Sequence, residues 1–292
     1  IVHMYAAQMA LAGLLDHYTA RARVPLSQIL APLLAPASDR TLPDNRATLL
    51  VLASYLAEKN LAMLLPEATG WPRARRVKLT LLGREDSAQH FGISAALAAW
   101  AGEPAANAIG VYKEIDDSRK GSGFSFADLA ADRAGTRFGE LVVDDYPRLY
   151  KVLSGTVTDA DLLPSLAGFP EYLSEAEFKR RFGDPNAYSQ QTAEIERRLA
   201  DLPLSPQVRD AITMTELLRF GVLAKHPDSD PRFLPRLLSA VGGWQCRTKH
   251  RRSIVFRAGP EKRCGEPGPD FAPAVVAGRS TDRVPIAPQR RR

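Results

Sequence analysis

Asp86 and His90 stand four residues apart, Glu114 and Asp117 three apart, and Asp128 and Asp132 four apart, with Ser125 one turn before Asp128. In a helix each of these spacings puts both side chains on one face. Carboxylates and an imidazole supplied by several facing helices are how bundles build metal sites in their cores. Asp86, His90, Glu114, Asp128 and Asp132 are therefore candidate metal ligands. An oxygen-rich set with one imidazole suits Mg²⁺, Mn²⁺, Fe or Zn²⁺. Such an ion lowers the pKa of bound water toward about 7 and stabilises developing negative charge. Glu114, Asp117 and Asp132 are the candidate catalytic carboxylates, one of them as general base. The competing expectation is a hydrogen-bonded polar network that fixes helix register without any ion.

Several of these residues also have ordinary roles open to them. Asp86 followed by Gln89, and Ser125 followed by Asp128, each fit a helix capping box. His90 taken alone reads as a satisfied core histidine. Glu114 and Asp117 sit near the end of a helix, where negative charge opposes the macrodipole. They call for a partner: a metal, Arg119, Lys120 or loop amides. Asp132 lies mid-helix among alanines, where Asp is a poor helix former. The loop Gly121-Ser122-Gly123 opens into a helix and could offer N–H groups to an anion. Ser122, Gly123, Ser125, Arg133 and Arg137 are accordingly the candidate groups for a small anionic ligand.

Other chemistries are excluded. No phosphate-binding Gly-Lys-Ser/Thr loop, Gly-x-Ser-x-Gly elbow or His-Glu-x-x-His motif occurs. Cys246 and Cys264 lack the second pair of a zinc site. Cys246 and His250, four apart, fall in a stretch expected to lack order, which argues against a nucleophilic pair.

The elements that must position the carboxylates are three helices, expected over 86–101, 104–117 and 125–142. Gly102 and Pro104 separate the first two, with Pro104 well placed in a first turn. All three are rich in Ala and Gly, which lets backbones approach and presses the acidic faces into a partly dry space. Carboxylates there have raised pKa values unless a cation pairs with them. Arg133, Arg137 and Lys113 are the candidate partners.

Around this unit the periodicity predicts helices over 4–22, 26–34 and 46–64, the last with Asp44 as N-cap, and an extended segment over 77–82. After Pro147 come short amphipathic helices. Ser174-Glu175-Ala176-Glu177 is a capping box, 190–202 a further helix, and 206–240 room for two more. The expected fold is all-α: a compact multi-helix bundle with a central three-helix unit. A helical domain over 1–205, with its core at 84–143, is followed by peripheral helices over 206–243 and a disordered tail over 244–292.

Composition agrees with a globular body. The 292 residues are 45% hydrophobic and 25% charged, which excludes a collagen-like or wholly disordered chain. Two cysteines cannot make a disulfide framework. No apolar run reaches the roughly 18–20 residues that span a bilayer. The net charge of +6 is unevenly placed, because residues 244–292 hold twelve Arg and Lys against four acids and leave the body slightly acidic. No basic stripe interleaved with aromatics marks the body, so nucleic acid is not an expected partner. The apolar stretch 4–15 lacks a preceding basic region, and no secretory signal is legible.

One resemblance adds to this. The order Asp86…His90-Phe91, Lys113-Glu114…Asp117, Gly121-Ser122-Gly123-Phe124-Ser125, Asp128-Leu129…Asp132, Gly135 and Gly139 resembles the YfiM-type predicted periplasmic lipoproteins of bacteria. Those proteins carry a similar Lys-Glu, Gly-Ser-Gly and Asp-Leu-x-x-Asp series. More distantly it is similar to the VanZ-like membrane proteins, with their Asp-Lys-x-x-His, Glu and Ser-x-x-Asp elements. The match covers about a fifth of the chain. It implies shared geometry around His90, Glu114, Asp128 and Asp132, a periplasmic or cell-envelope setting, and an envelope-derived ligand. The chain departs from both groups: it has no lipobox cysteine, and its helices are too short and interrupted to be membrane spans. The expected function is a structural or binding role in the envelope. The alternative is a metal-dependent hydrolase of a phosphoester or envelope component, using His90, Glu114, Asp128 and Asp132.

Overall fold

A computed structural model of the chain describes residues 1–204, 244–250 and 253–258, and within them it is mostly helical. The first helix, α1 (Val2–Leu15), ends seven residues earlier than its apolar run predicts. A three-residue strand, β1 (Arg23–Pro25), leads directly into α2 (Leu26–Leu34). Helix α3 (Leu42–Leu56) begins before Asp44. Thr41 is its N-cap, and Asp44 closes the box from the first turn by accepting the Thr41 amide at 3.1 Å. The expected single helix over 46–64 stops at Leu56, and two short 3₁₀ turns at Leu61–Met63 and Pro66–Ala68 follow. The extended segment is present as β2 (Lys78–Thr80). It pairs in parallel with β1, a partner the sequence did not suggest.

The next three helices are α4 (Glu85–Ala101), α5 (Glu103–Lys120) and α6 (Phe126–Asp144), close to the expected limits. Gly102 joins α4 to α5 at φ 82°, a conformation that needs the missing Cβ. Gly121 closes α5 in the left-handed region at φ 103°. Ser125 caps α6, accepting the Asp128 amide at 3.0 Å. Helices α4 and α6 meet backbone to backbone. A Cβ on Gly135 would overlap the carbonyl of Phe91, and one on Gly139 that of Ala95. Phe91 and Phe138 seal the same contact, with ring centroids 5.3 Å apart.

Four further helices follow: α7 (Tyr146–Leu153), α8 (Asp159–Leu162), α9 (Glu175–Phe182) and α10 (Pro185–Ala200). Ser174 caps α9 by accepting the Glu177 amide at 3.3 Å. Phe178 stacks on Phe124 at 4.2 Å, while Phe182 and Tyr188 pack on Phe126 at 4.8 and 5.9 Å. This aromatic cluster ties the start of α6 to α9 and α10. The segment between α8 and α9 crosses over the α5–α6 loop as a strap. Phe124 and Leu173 exchange both backbone hydrogen bonds, at 2.7 and 2.9 Å.

In the stretch expected to be a disordered tail, β3 (Trp244–His250) and β4 (Ser253–Ala258) pair antiparallel. The consecutive β-branched and aromatic residues Ile254, Val255 and Phe256 supply the strand propensity that the surrounding charge obscured. Cys246 and His250 therefore lie on a strand. The helices expected over 206–240 and the tail beyond Ala258 lie outside the described residues. Among the described residues no helix is long and apolar enough to cross a membrane.

Candidate metal centre

His90, on the buried face of α4, points its imidazole at Asp132 in the middle of α6. Its Nδ1–H donates to Asp132 Oδ1 at 3.1 Å, and the Ser94 hydroxyl one turn on donates to the same oxygen at 2.8 Å. Gly110 on α5 makes room for this carboxylate, since a Cβ there would lie 2.9 Å from Asp132 Oδ2. Glu114, one turn further along α5, has no exposed surface. Its Oε2 accepts the Ser125 amide at 2.9 Å, and its Oε1 lies 3.4 Å from Lys113 Nζ. The Lys113 ammonium is also 3.4 Å from His90 Nε2 and donates to Asp117 Oδ2 at 2.6 Å. One ligand atom each from His90, Glu114 and Asp132 lies within 4.8 Å of the others, and all three residues are buried.

A second ring of charge flanks this trio. Asp128 Oδ2 lies 3.7 Å from His90 Nε2, and Asp128 Oδ1 lies 3.8 Å from Arg84 Nη2. Arg84 forks two carboxylates. It donates to Glu171 at 2.8 and 2.7 Å and to Asp86 at 3.1 and 2.8 Å. Glu171 belongs to the strap, so this fork pins the strap to the start of α4.

The proton affinities follow from burial and neighbours. Burial alone would favour a neutral His90. The charge and hydrogen bond of Asp132, together with Asp128, outweigh that burial and the nearby Lys113, raising its pKa to about 9. Burial lifts Glu114 to about 7, although Lys113 and His90 pull it down. Burial likewise raises Asp128. The hydrogen bond from Arg84 does the reverse to Asp86, which stays below the usual carboxylate range. Among the described residues, Asp128 Oδ1 and Asp132 Oδ2 are buried without a hydrogen bond. Buried oxygens of that kind are rare because each costs its lost hydration.

The expected residues divide into three groups. His90, Glu114 and Asp132 converge, and Asp128 stands beside them. Asp117 joins only at the rim, through Lys113. Asp86 does not join, because Arg84 and the Ser87 amide take its oxygens. Gln89 bonds the Leu56 carbonyl instead, so no capping box forms there. Arg133 and Arg137 do not reach the cluster either and both pair with Glu196 on α10. Each lies one residue, about 100° of helix rotation, from the face that carries Asp132 and Thr136.

Four amides of the glycine loop are already committed to acceptors within the protein. The Gly121 and Gly123 amides donate to the Asp117 carbonyl, Phe124 to Leu173, and Ser125 to Glu114. Ser122 is exposed beyond them. Sequence reasoning missed Ser94, Gly110, Arg84 and Glu171. The first two were within reach, four residues after His90 and four before Glu114 on the same faces. The Arg84–Glu171 contact spans 87 residues and had no local signal. Ser94 is no activated nucleophile, since its hydroxyl donates to Asp132 and not to the imidazole. No family model, curated protein or solved structure matches the chain.

Proposed function

We propose that the protein binds a divalent metal ion through His90, Glu114 and Asp132, with Asp128 beside them. One observation carries this reading: the cluster holds more acid than its own bases neutralise. Among the described residues, the ion pairs of Asp86, Glu114, Asp117, Asp128, Asp132 and Glu171 are with Arg84, Lys113 and the imidazole. Protons retained on His90 and Glu114 relieve that excess, and a metal ion does so by replacing them. One imidazole with two or three carboxylates suits Mn²⁺, Fe²⁺ or Zn²⁺. A bound ion would supply Lewis acidity and an activated water. The corresponding reaction class is hydrolysis of a phosphoester or an envelope-derived ester or amide. The resemblance of the motif order to envelope proteins supports looking for the substrate there.

A purely structural role is the second reading, and the internal bonds favour it. Asp132 links α6 to α4 through His90 and Ser94, and Glu114 links α5 to the start of α6 through the Ser125 amide. Such a network fixes helix register without any ion. Elemental analysis of the purified protein beside His90→Ala separates the two. Near-stoichiometric metal that vanishes in the variant is expected. No metal in either protein, with the variant merely less stable, leaves the network alone.

A further inference from the structure

Lys113 differs from every other base near the cluster. Arg84 is committed to Glu171 and Asp86 by four hydrogen bonds. Lys113 makes one short bond, to Asp117 at 2.6 Å, and two long approaches of 3.4 Å, to Glu114 Oε1 and His90 Nε2. The latter two residues are the proposed ligands. The lysine side chain is 36% exposed, whereas those of His90 and Glu114 are 8% and 0% exposed. It lies between the buried donors and solvent. Its anchor, Asp117, is one turn further along α5 at the rim, with 23% of its side chain exposed.

We propose that Lys113 is a built-in cation gate: its ammonium covers the Glu114 and His90 donors that a divalent ion needs, and it swings outward on Asp117 to admit one. This rests on the metal-binding reading above. Two features support the motion. The Asp117 bond can persist while the long flexible stem pivots. The second Asp132 oxygen, buried and without a hydrogen bond, remains available to a cation that Lys113 does not reach. Competition by an internal cation lowers apparent affinity by the fraction of time the gate is shut.

The test is a Mn²⁺ titration of the full chain, followed by electron paramagnetic resonance, for wild type, Lys113→Met and His90→Ala. Lys113→Met is expected to bind Mn²⁺ at least tenfold more tightly than wild type, and His90→Ala to lose binding. Wild-type binding that Lys113→Met leaves unchanged or weakens overturns the gate and spares the metal site. No binding by wild type or Lys113→Met overturns both. Should Lys113→Met fail to fold, wild type reductively methylated with ¹³C reports on the same lysine. Zn²⁺ should shift the Lys113 dimethylamine resonance and leave those of Lys78 and Lys179 in place. An unmoved Lys113 resonance at saturating Zn²⁺ rejects the gate.

Discussion

Two regions of this molecule handle charge in opposite ways. On α9 and α10 the acids other than Glu196 find a base within a turn. Glu194 holds Arg197 and Arg198 at 2.7 Å, and Glu175 holds Lys179 at 2.8 Å. These pairs are exposed, close in sequence, and of the kind that contributes little to stability. Around α4, α5 and α6 the pairs that join one element to another are distant in sequence and mostly buried, and the bases are fewer than the acids they face. Surface charge here is self-contained, and buried charge is left in need of something further. That need is what distinguishes a site from a decorated helix face.

Removing the centre of the buried set should have the largest effect. Asp132→Ala leaves the buried His90 and Ser94 without their shared acceptor, and is expected to cost about 4 kcal/mol. Urea unfolding followed by circular dichroism reads this. A loss no larger than that of a surface substitution would mean that the inner region behaves like the outer one. Gly135→Ala comes next, at about 2 kcal/mol, because the new methyl must push α4 from α6. The same variant should weaken any bound metal. A shift in stability without a shift in metal content would uncouple the helix contact from the site.

A change of pH should divide the regions without any mutation. His90 and Glu114 both have folded pKa values above their ordinary ones, about 9 against 6.5 and about 7 against 4.5. The folded state therefore holds protons that the unfolded chain has released. Stability contributed by Glu114 is complete below 4.5 and lost as pH rises through 7, and that of His90 is complete below 6.5 and lost through 9. Metal-free protein should thus weaken steadily toward alkaline pH, and Asp132→Asn should flatten the upper part of that decline. An unchanged slope in Asp132→Asn would show that His90 is not held by that carboxylate. On the acid side, Asp44, held down to about 2 chiefly by its bond from Thr41, gives the opposite limb, with stability lost as pH falls from 3.8. The smallest effect belongs to Glu194→Ala on α10, which should leave the unfolding midpoint unmoved. A clear loss there would end the contrast between the two regions.

The three central helices and the convergence of His90, Glu114 and Asp132 were legible because both follow from helical periodicity. That arithmetic assigns residues to a face, and Ala and Gly then mark which faces approach. It misplaced Arg133 and Arg137 because charge complementarity was allowed to override their angular position. It gave Asp86 to the metal, although the adjacent Arg84 claimed it. The β1–β2 pairing and the strap that carries Glu171 were out of reach. Three-residue strands and a loop contact across 87 positions leave no periodic trace. Helix ends were less legible than helix centres. Asp44 and Thr41 both suit a cap, and only the backbone decides between them.

Side chains rattle among rotamers as a protein warms, and most buried distances loosen accordingly. The gap between His90 and Asp132 is graduated differently, because α4 and α6 rest on each other through Gly135, Gly139 and the carbonyls of Phe91 and Ala95. A peptide plane has no rotamer to visit. The bite of the site is set by main chain against main chain, and heat should leave it undisturbed until the two helices part altogether.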